Sequence, residues 1–167
     1  MPKPPLRWPV APRPFPDEAL GSWLGRVAAL YRIKVSTLAA SASFDLGPNG
    51  HVWLAPCNLS VETILRLATL ATLPVASIQA MADSVPRQPN RHYRFCFSCL
   101  VLNPVDVTAP YWKAHWLATE ERICGVHGIA EETIGGSAIA AAGNMPRLIN
   151  AISKRRRDRQ RWRRAIP

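Results

Sequence analysis

Three cysteines and one histidine stand in two pairs whose spacing suits a metal ion. Two residues separate Cys96 from Cys99, two separate Cys124 from His127, and 24 residues lie between the pairs. Two intervening residues let one tight turn aim both side chains at the same point, so two such turns supply the four ligands of a closed tetrahedral site. Thiolates and imidazole favour zinc over hard cations. The pattern therefore predicts one structural Zn²⁺ bound by Cys96, Cys99, Cys124 and His127.

Other chemistries explain the two pairs less well. A thioredoxin-like redox pair would lie among alternating strands and helices, and no such pattern surrounds the first pair. Buried cysteines that act only as small apolar residues are a further alternative. A catalytic zinc would keep one ligand position open for water, and the chain has neither His-Glu-x-x-His nor the deaminase motif. Although Glu120 and Glu121 lie just before the second pair, the filled ligand set predicts that the protein is not an enzyme.

The segment between the pairs, YWKAHWLATEER at 111–122, is rich in aromatic residues. As a strand it would place Trp112, Ala114 and Trp116 on one face. We expect a hairpin that packs its tryptophans over a small metal core, in preference to a surface that stacks nucleotides. His115 is an alternative ligand without the paired spacing. The other isolated candidates are expected to be structural or exposed: His51, His92 and Cys57.

Apolar residues at helical spacing predict the elements that precede the first pair. A helix over 17–32 would begin at Asp17 as N-cap and be anchored by Trp23, and a short helix is expected at about 36–42. A helix from Ser60 to about residue 70 and another at 75–82 would form a helix-turn-helix shape or two ordinary core helices. The second of these offers only two polar side chains to read bases, Ser77 and Gln79.

The net charge of +10 belongs mainly to the end of the chain. Residues 154–164 carry eight basic side chains and one acidic one, whereas the first 153 residues carry 13 basic and 10 acidic ones. A helix here would place Arg155, Arg159 and Arg163 in one stripe that could meet a phosphate backbone. Trp162 could stack on a base or pack on the body, and the alternative is a frayed, solvated end. The predicted nucleic-acid contacts are Lys154, Arg155, Arg156, Arg157, Arg159, Arg161, Arg163 and Arg164.

Composition excludes several classes of protein. The chain has 167 residues, 48% of them apolar, which is enough for a folded core. It has no apolar run of 18 residues, and the proline-rich start lacks the apolar region of a secretory signal, so no membrane partner is expected. A reducing compartment follows, and with it free thiols rather than disulfides. The expected location is the bacterial cytoplasm, in association with the nucleoid.

These observations predict a mainly α fold with a small zinc finger or zinc ribbon embedded in it. The expected organisation is a proline-rich arm, a helix-turn-helix-like helical region, a linker, the zinc finger, and a C-terminal helix with its basic tail. The helix would start near Asn144-Met145-Pro146. The boundaries of these five segments are 1–16, 17–83, 84–94, 95–130 and 131–167.

Two motifs together resemble the TniQ family of target-selection proteins from bacterial transposons. The first is the Pro14–Ala28 stretch, in which a Pro-x-Pro-x-Glu sequence leads into Ser-Trp-Leu and Arg26. The second combines the four metal-ligand candidates with Tyr111, Trp112 and Trp116 between them. The chain departs from the family pattern because Phe97 and Gly125 stand where proline often follows the first cysteine of each pair. Further cysteine pairs and a longer helical C-terminus are also missing, so it resembles a short or truncated member.

The resemblance implies a non-enzymatic adaptor in DNA transposition. Such proteins join an AAA+ ATPase regulator to a target-recognising component, which is a DNA site or an RNA-guided CRISPR effector. It also implies that the zinc ligands are the four residues already named. The expected partners are thus the ATPase and DNA. The resemblance leaves open whether the chain also binds RNA, a CRISPR effector or a second copy of itself. The alternative function is a free-standing zinc-containing transcriptional regulator that binds DNA.

Overall fold

A computed structural model describes residues 7–47, 52–85, 91–102, 109–118 and 123–165. Across these ranges the chain forms eight helices and two strands, which agrees with the expected mainly α fold. In chain order the elements are α1 (Leu20–Leu30), α2 (Val35–Ala42), α3 (Val61–Ala71), α4 (Val75–Asp83), β1 (His92–Phe95), α5 (Phe97–Leu100), α6 (His115–Ala118), β2 (Glu132–Gly135), α7 (Gly136–Ala142) and α8 (Met145–Ala165).

Helix α1 is the centre of the core. Eight of its eleven residues are buried, and Trp23 is fully inaccessible, as expected for the anchor of this helix. The helix packs against α2, α4 and α8. The structure corrects the predicted N-cap, because the helix begins at Leu20 and the cap position is Ala19. Asp17 instead accepts a hydrogen bond from the Tyr111 hydroxyl and pairs with Lys113.

Helices α3 and α4 follow one another through a short turn, which fits both interpretations of the sequence, a helix-turn-helix shape and two ordinary core helices. Ser60 caps α3 by accepting a hydrogen bond from the Thr63 N–H, and the helix ends at Thr72 in the left-handed conformation. Only Thr72, Leu73 and Pro74 connect it to α4, and the two helices pack on each other. The outward side of α4 presents Val75, Ala76 and Ala80 among its exposed residues. Gln79, one of its two candidate base readers, donates to Asp83.

The described part of the proline-rich arm, residues 7–16, lies against the helices. The Trp8 ring packs on Trp23, and the Trp8 N–H donates to the Leu70 carbonyl. The Trp23 indole donates to the Pro12 carbonyl at 2.8 Å, which attaches the arm to α1 at a second position. These contacts add the described part of the arm to the hydrophobic core. The predicted segment boundaries stay predictions.

The segment between the cysteine pairs differs from the expected hairpin. Lys113 makes a strand-like bridge to Glu18, and helix α6 begins at His115. Trp112 and Trp116 are both buried as predicted, but they meet edge to face, with ring centres 5.7 Å apart, inside the main core rather than over a separate metal core. The alternating pattern was misleading because Trp112 precedes α6 and Trp116 lies within it, so the two side chains reach the core without sharing one face of a strand.

Two short antiparallel strands and a long last helix complete the fold. Strand β1 starts inside the predicted linker, and its His92 lies opposite Gly135 of β2. The small-residue stretch after Thr133, for which the sequence showed no clear period, forms the end of β2 and then α7. Asn144 caps α8 by accepting from the Arg147 N–H, as the sequence suggested. Among the described residues, no helix is both long enough and apolar enough to cross a membrane.

Candidate metal centre

The first ligand pair lies where strand β1 turns into helix α5. Cys96 follows the last residue of the strand and is fully buried, with its carbonyl accepting from the Leu100 N–H at 2.9 Å. Cys99 lies within the single turn of α5 and is half-buried. The turn therefore brings both thiols to the same side of the backbone, as the two-residue spacing predicted.

The second pair lies in a tight turn closed by its own backbone. A bridge between Ile123 and Ala130 joins the ends of this turn. Inside it, the Cys124 N–H donates to the Ile129 carbonyl at 2.9 Å, and the Gly128 N–H donates to the Cys124 carbonyl at 2.7 Å. Gly128 has φ of +63°, which a glycine adopts without steric cost. Cys124 is buried and His127 is exposed, so the turn presents one face of the site to solvent.

The small sheet brings the two turns together. Phe95, which precedes Cys96, lies opposite Glu132, which follows the second turn. The register between β1 and β2 is also fixed by Tyr93 of β1, which is buried opposite the buried Ile134 of β2. Because a slip by one residue would turn these apolar side chains out of the core, the pairing holds the ligand turns at a defined separation.

The four donor atoms converge on one point. The His127 Nδ1 lies 3.6 Å from the Cys96 Sγ, 3.2 Å from the Cys99 Sγ and 3.7 Å from the Cys124 Sγ, and the Sγ atoms of Cys99 and Cys124 are 3.7 Å apart. Zinc–sulfur and zinc–nitrogen bonds of normal length at tetrahedral angles would separate the donors by about 3.8 Å and about 3.6 Å. The observed separations thus match the edges of a tetrahedral site, and the four residues could bind a metal ion.

The electrostatics of the cluster also favour a cation. Burial opposes ionisation of Cys124, but hydrogen bonds from the backbone and side chain of His127 lower the pKa of its thiol to about 6. Burial raises the pKa of Cys99 to about 12, helped by its hydrogen bond to Cys124 and by the nearby Cys96. The protein alone therefore resists holding several thiolates in this volume, and a divalent ion would remove that repulsion.

The remaining ligand candidates lie apart from the cluster. His115 stands outside the converging set and instead contacts the edge of Trp116. His92 is exposed on β1, and Cys57 is buried. His51, Glu120 and Glu121 lie outside the described residues.

A second polar constellation lies at the start of α1. The carboxylate of Glu18 is buried and accepts from three donors, namely the Phe15 N–H, the Ser22 hydroxyl and the Arg26 guanidinium, the last at 2.7 Å. Burial raises the pKa of Glu18, and Arg26 opposes this shift. The Ser22 hydroxyl also accepts from the Trp112 N–H at 2.8 Å. We refer to Glu18, Ser22 and Arg26 as the Glu18 cluster.

The Glu18 cluster links the Pro14–Ala28 motif to the aromatic segment between the two ligand pairs. It connects α1 to the segment at Trp112, and the guanidinium of Arg26 lies 4.6 Å from the centre of the Phe15 ring. A model of the TniQ family matches residues 9–130, a range that contains both the Glu18 cluster and the metal ligands. The chain belongs to the TniQ family. Membership indicates a transposition-associated role in target selection. No curated protein and no solved structure matches the chain.

In this TniQ protein the whole of the basic helix α8 lies beyond the family match. The buried residues of α8, Met145, Leu148 and Ile152, attach its first half to the core. Its second half is exposed, including Trp162, whose side chain is 72% accessible, so Trp162 does not pack on the body. Helix formation through the tail agrees with the sequence, and no frayed end is seen up to Ala165.

Two of the predicted nucleic-acid contacts are engaged within the TniQ protein itself. Arg156 and Arg159 both pair with Glu132 of β2, at 3.1 Å and 2.7 Å. The Arg156 guanidinium also lies 3.8 Å from the centre of the Phe97 ring. In the sequence, Phe97 lies between Cys96 and Cys99, the first two ligand candidates. Sequence reasoning missed Glu132 and Phe97, because no local spacing relates them to arginines that lie 24 or more residues away. The other six stay predicted contacts: Lys154, Arg155, Arg157, Arg161, Arg163 and Arg164.

Proposed function

We propose that the chain is a non-enzymatic adaptor in DNA transposition that links an AAA+ ATPase regulator to a target-recognising component. The observation that carries this proposal is the family match over residues 9–130. The two sites inside that range support an adaptor rather than an enzyme. The converging ligand set leaves no position for water if all four residues bind, and the buried carboxylate of Glu18 is already paired with Arg26.

The metal in this proposal is one structural Zn²⁺. The donor set of three thiols and one imidazole is typical of structural zinc, and the donor separations suit its bond lengths. When bound, the ion would fix the two ligand turns as one rigid unit. The side chains of Cys96, Cys99, Cys124 and His127 would hold it.

The target-recognising component in this proposal is a DNA site or an RNA-guided CRISPR effector. The basic second half of α8 supports contact with nucleic acid, since a row of arginines on an exposed helix attracts a phosphate backbone. The helical N-terminal region would contact the ATPase. A homodimer and an association with the nucleoid in the bacterial cytoplasm are compatible with this arrangement.

The second candidate function, a zinc-containing transcriptional regulator, has less support. Such a regulator would read bases with the second helix of its helix-turn-helix, and α4 exposes mainly small apolar residues. Gln79, which would be the best base reader, is bonded to Asp83. The geometry of α3 and α4 therefore supports a packing role more than a reading role.

Co-purification with the AAA+ ATPase encoded beside the chain would test the adaptor role. We expect the tagged chain to retain that ATPase on a column in the presence of nucleotide, and to leave an unrelated AAA+ ATPase in the flow-through. The same chain should show no preference among DNA sequences when the ATPase is absent. Failure to retain the ATPase, together with tight binding to one DNA sequence, would favour the regulator instead.

A further inference from the structure

The C-terminal helix has one face that the body occupies. Met145, Leu148 and Ile152 are buried along it, and one turn further the same face carries Arg156 and then Arg159. The carboxylate of Glu132 binds both guanidinium groups. These two arginines therefore continue the packed face of the helix with polar contacts, and the carboxylate of Glu132 offsets one of their two positive charges.

A second face carries basic residues in a continuous row. Positions 147, 154, 157, 161 and 164 are separated by seven, three, four and three residues. At 3.6 residues per turn these intervals place all five on one side of the helix, roughly opposite the buried face. We call this row the outer stripe: Arg147, Lys154, Arg157, Arg161 and Arg164.

The outer stripe is available to a partner. All five side chains are exposed. Among the described residues, the stripe makes one ion pair, between Lys154 and Asp158 at 3.9 Å, and both of those side chains are more than half exposed. Such an exposed pair is worth little and does not hold Lys154 away from a ligand.

We infer that the outer stripe is the nucleic-acid contact surface of the chain and binds the phosphodiester backbone, while Arg156 and Arg159 position it. The stripe spans 17 residues, or about 26 Å of helix. This deepens the proposed function, since it assigns the contact to one face of α8. It also differs from the stripe of Arg155, Arg159 and Arg163 that the sequence suggested, and it adds Arg147.

A polyanionic nucleic acid fits the stripe better than an acidic protein. Nucleic-acid interfaces are polar and strongly positive, whereas protein interfaces have an apolar centre and are depleted of lysine. The outer stripe has no apolar residue between its cations, with Asn150 completing the row. Trp162 lies on the flank beside Arg155 and not among the five cations of the stripe.

Two double variants of equal charge test the assignment. One replaces the outer residues Arg157 and Arg161 with glutamine, and the matched control replaces Arg155 and Arg163, which lie outside the stripe and leave the anchors Arg156 and Arg159 in place. Each removes two positive charges from the same helix. Affinity of the full chain for a duplex DNA of random sequence and for a single-stranded RNA is measured from 50 to 300 mM salt, with poly-glutamate as an acidic polypeptide probe. Circular dichroism checks that helix content is unchanged.

We expect the outer variant to reduce the slope of log affinity against log salt concentration by about two and to weaken binding about 60-fold at 0.1 M salt, since each phosphate contact contributes about 0.9 to that slope. The control variant should retain most of the slope. If the outer variant loses affinity for only one of the two nucleic acids, this result identifies the ligand as DNA or RNA and supports the inference. Equal losses in the two variants, a larger loss in the control, no binding by the wild-type chain, or tighter binding to poly-glutamate would overturn it. Retention of the ATPase on the column is measured separately from nucleic-acid affinity. A failure of the proposed adaptor role can therefore be distinguished from a failure of this inference.

Discussion

The metal centre and the Glu18 cluster are both polar sites in the same core, but they are completed in different ways. In the Glu18 cluster, every acceptor that faces the interior meets a donor from the chain, and the buried carboxylate is balanced by Arg26. In the metal centre, three thiols and an imidazole converge within 4.8 Å without an internal cation. One site is satisfied by the chain alone, whereas the other could bind a metal ion.

This difference predicts where the fold depends on its environment. A buried ion pair made by one chain forms whenever the chain folds, whereas a metal centre is stable only if the metal is supplied and its ligands are deprotonated. The sheet of β1 and β2 joins the two ligand turns, and Glu132 of β2 contacts the basic helix. If the proposed Zn²⁺ is bound, its removal would therefore act on the strands beside the proposed nucleic-acid surface, while the Glu18 cluster is completed by the chain itself.

Metal removal should have the largest effect and should act on one region. A structural zinc contributes about 10–16 kcal/mol in isolated zinc fingers, so chelation is expected to unfold the ligand turns and the two strands. The backbone amides of residues 92–101 and 123–135 should lose protection from hydrogen exchange, while those of α1 keep most of their protection. Equal loss in both regions would mean that the two sites are not independent.

Removing Arg26 should have the next largest effect. The Arg26→Met substitution leaves the buried Glu18 carboxylate without its cation, and breaking a buried pair in this way costs about 3–5 kcal/mol. Urea unfolding of the metal-loaded protein measures the loss. The double variant Glu18→Gln with Arg26→Met should recover part of it, and strictly additive losses would contradict a direct pairing.

Two glycines provide a smaller, matched comparison. A Cβ on Gly21 would lie 2.2 Å from the backbone oxygen of Leu54, so Gly21→Ala should destabilise the core by about 1–3 kcal/mol. A Cβ on Gly125, in the second ligand turn, meets no atom within 4 Å. The Gly125→Ala control should therefore leave both the urea midpoint and the metal content near their wild-type values. A larger loss from Gly125→Ala would indicate that the ligand turn is more tightly packed than α1.

The smallest effect is expected from acid. Burial raises the pKa of Asp17, but its bonds to Lys113 and Tyr111 outweigh this and leave the pKa below the ordinary 3.8. Ionised Asp17 thus stabilises the fold fully above that value, and this contribution is lost as pH falls through the lowered pKa. The difference in urea midpoint between wild type and Asp17→Asn should be constant from pH 5 to 7 and shrink below pH 3.8. A difference that grows in acid would contradict the pairing.

The sequence predicted the metal centre well because its information is local. Two residues between ligands determine a turn, and the same four side chains that the spacing selected converge in the structure. The helices at 20–30 and 61–71 could also be predicted from the sequence, since their apolar residues follow a helical period over three turns. Ser60 and Asn144 act as helix caps for equally local reasons.

The contacts that sequence reasoning missed are those between distant segments. Asp17 was expected to cap α1, but its partners Tyr111 and Lys113 lie more than 90 residues away and leave the cap position to Ala19. The anchoring of Arg156 and Arg159 depends on the sheet register, which places Glu132 beside α8. The outer stripe was visible as spacing in the sequence, but the choice between two arginine stripes required knowing which face of the helix is packed.

The metal content of the purified chain tests the central claim most directly. Elemental analysis should find about one zinc per chain in the wild-type protein and in Cys57→Ser, which removes a buried cysteine outside the ligand set. The Cys96→Ser variant, which removes one of the four converging donors, should lose the metal. A wild-type chain that is folded without metal, or a Cys96→Ser chain that retains a full equivalent of zinc, would contradict the assignment of this site.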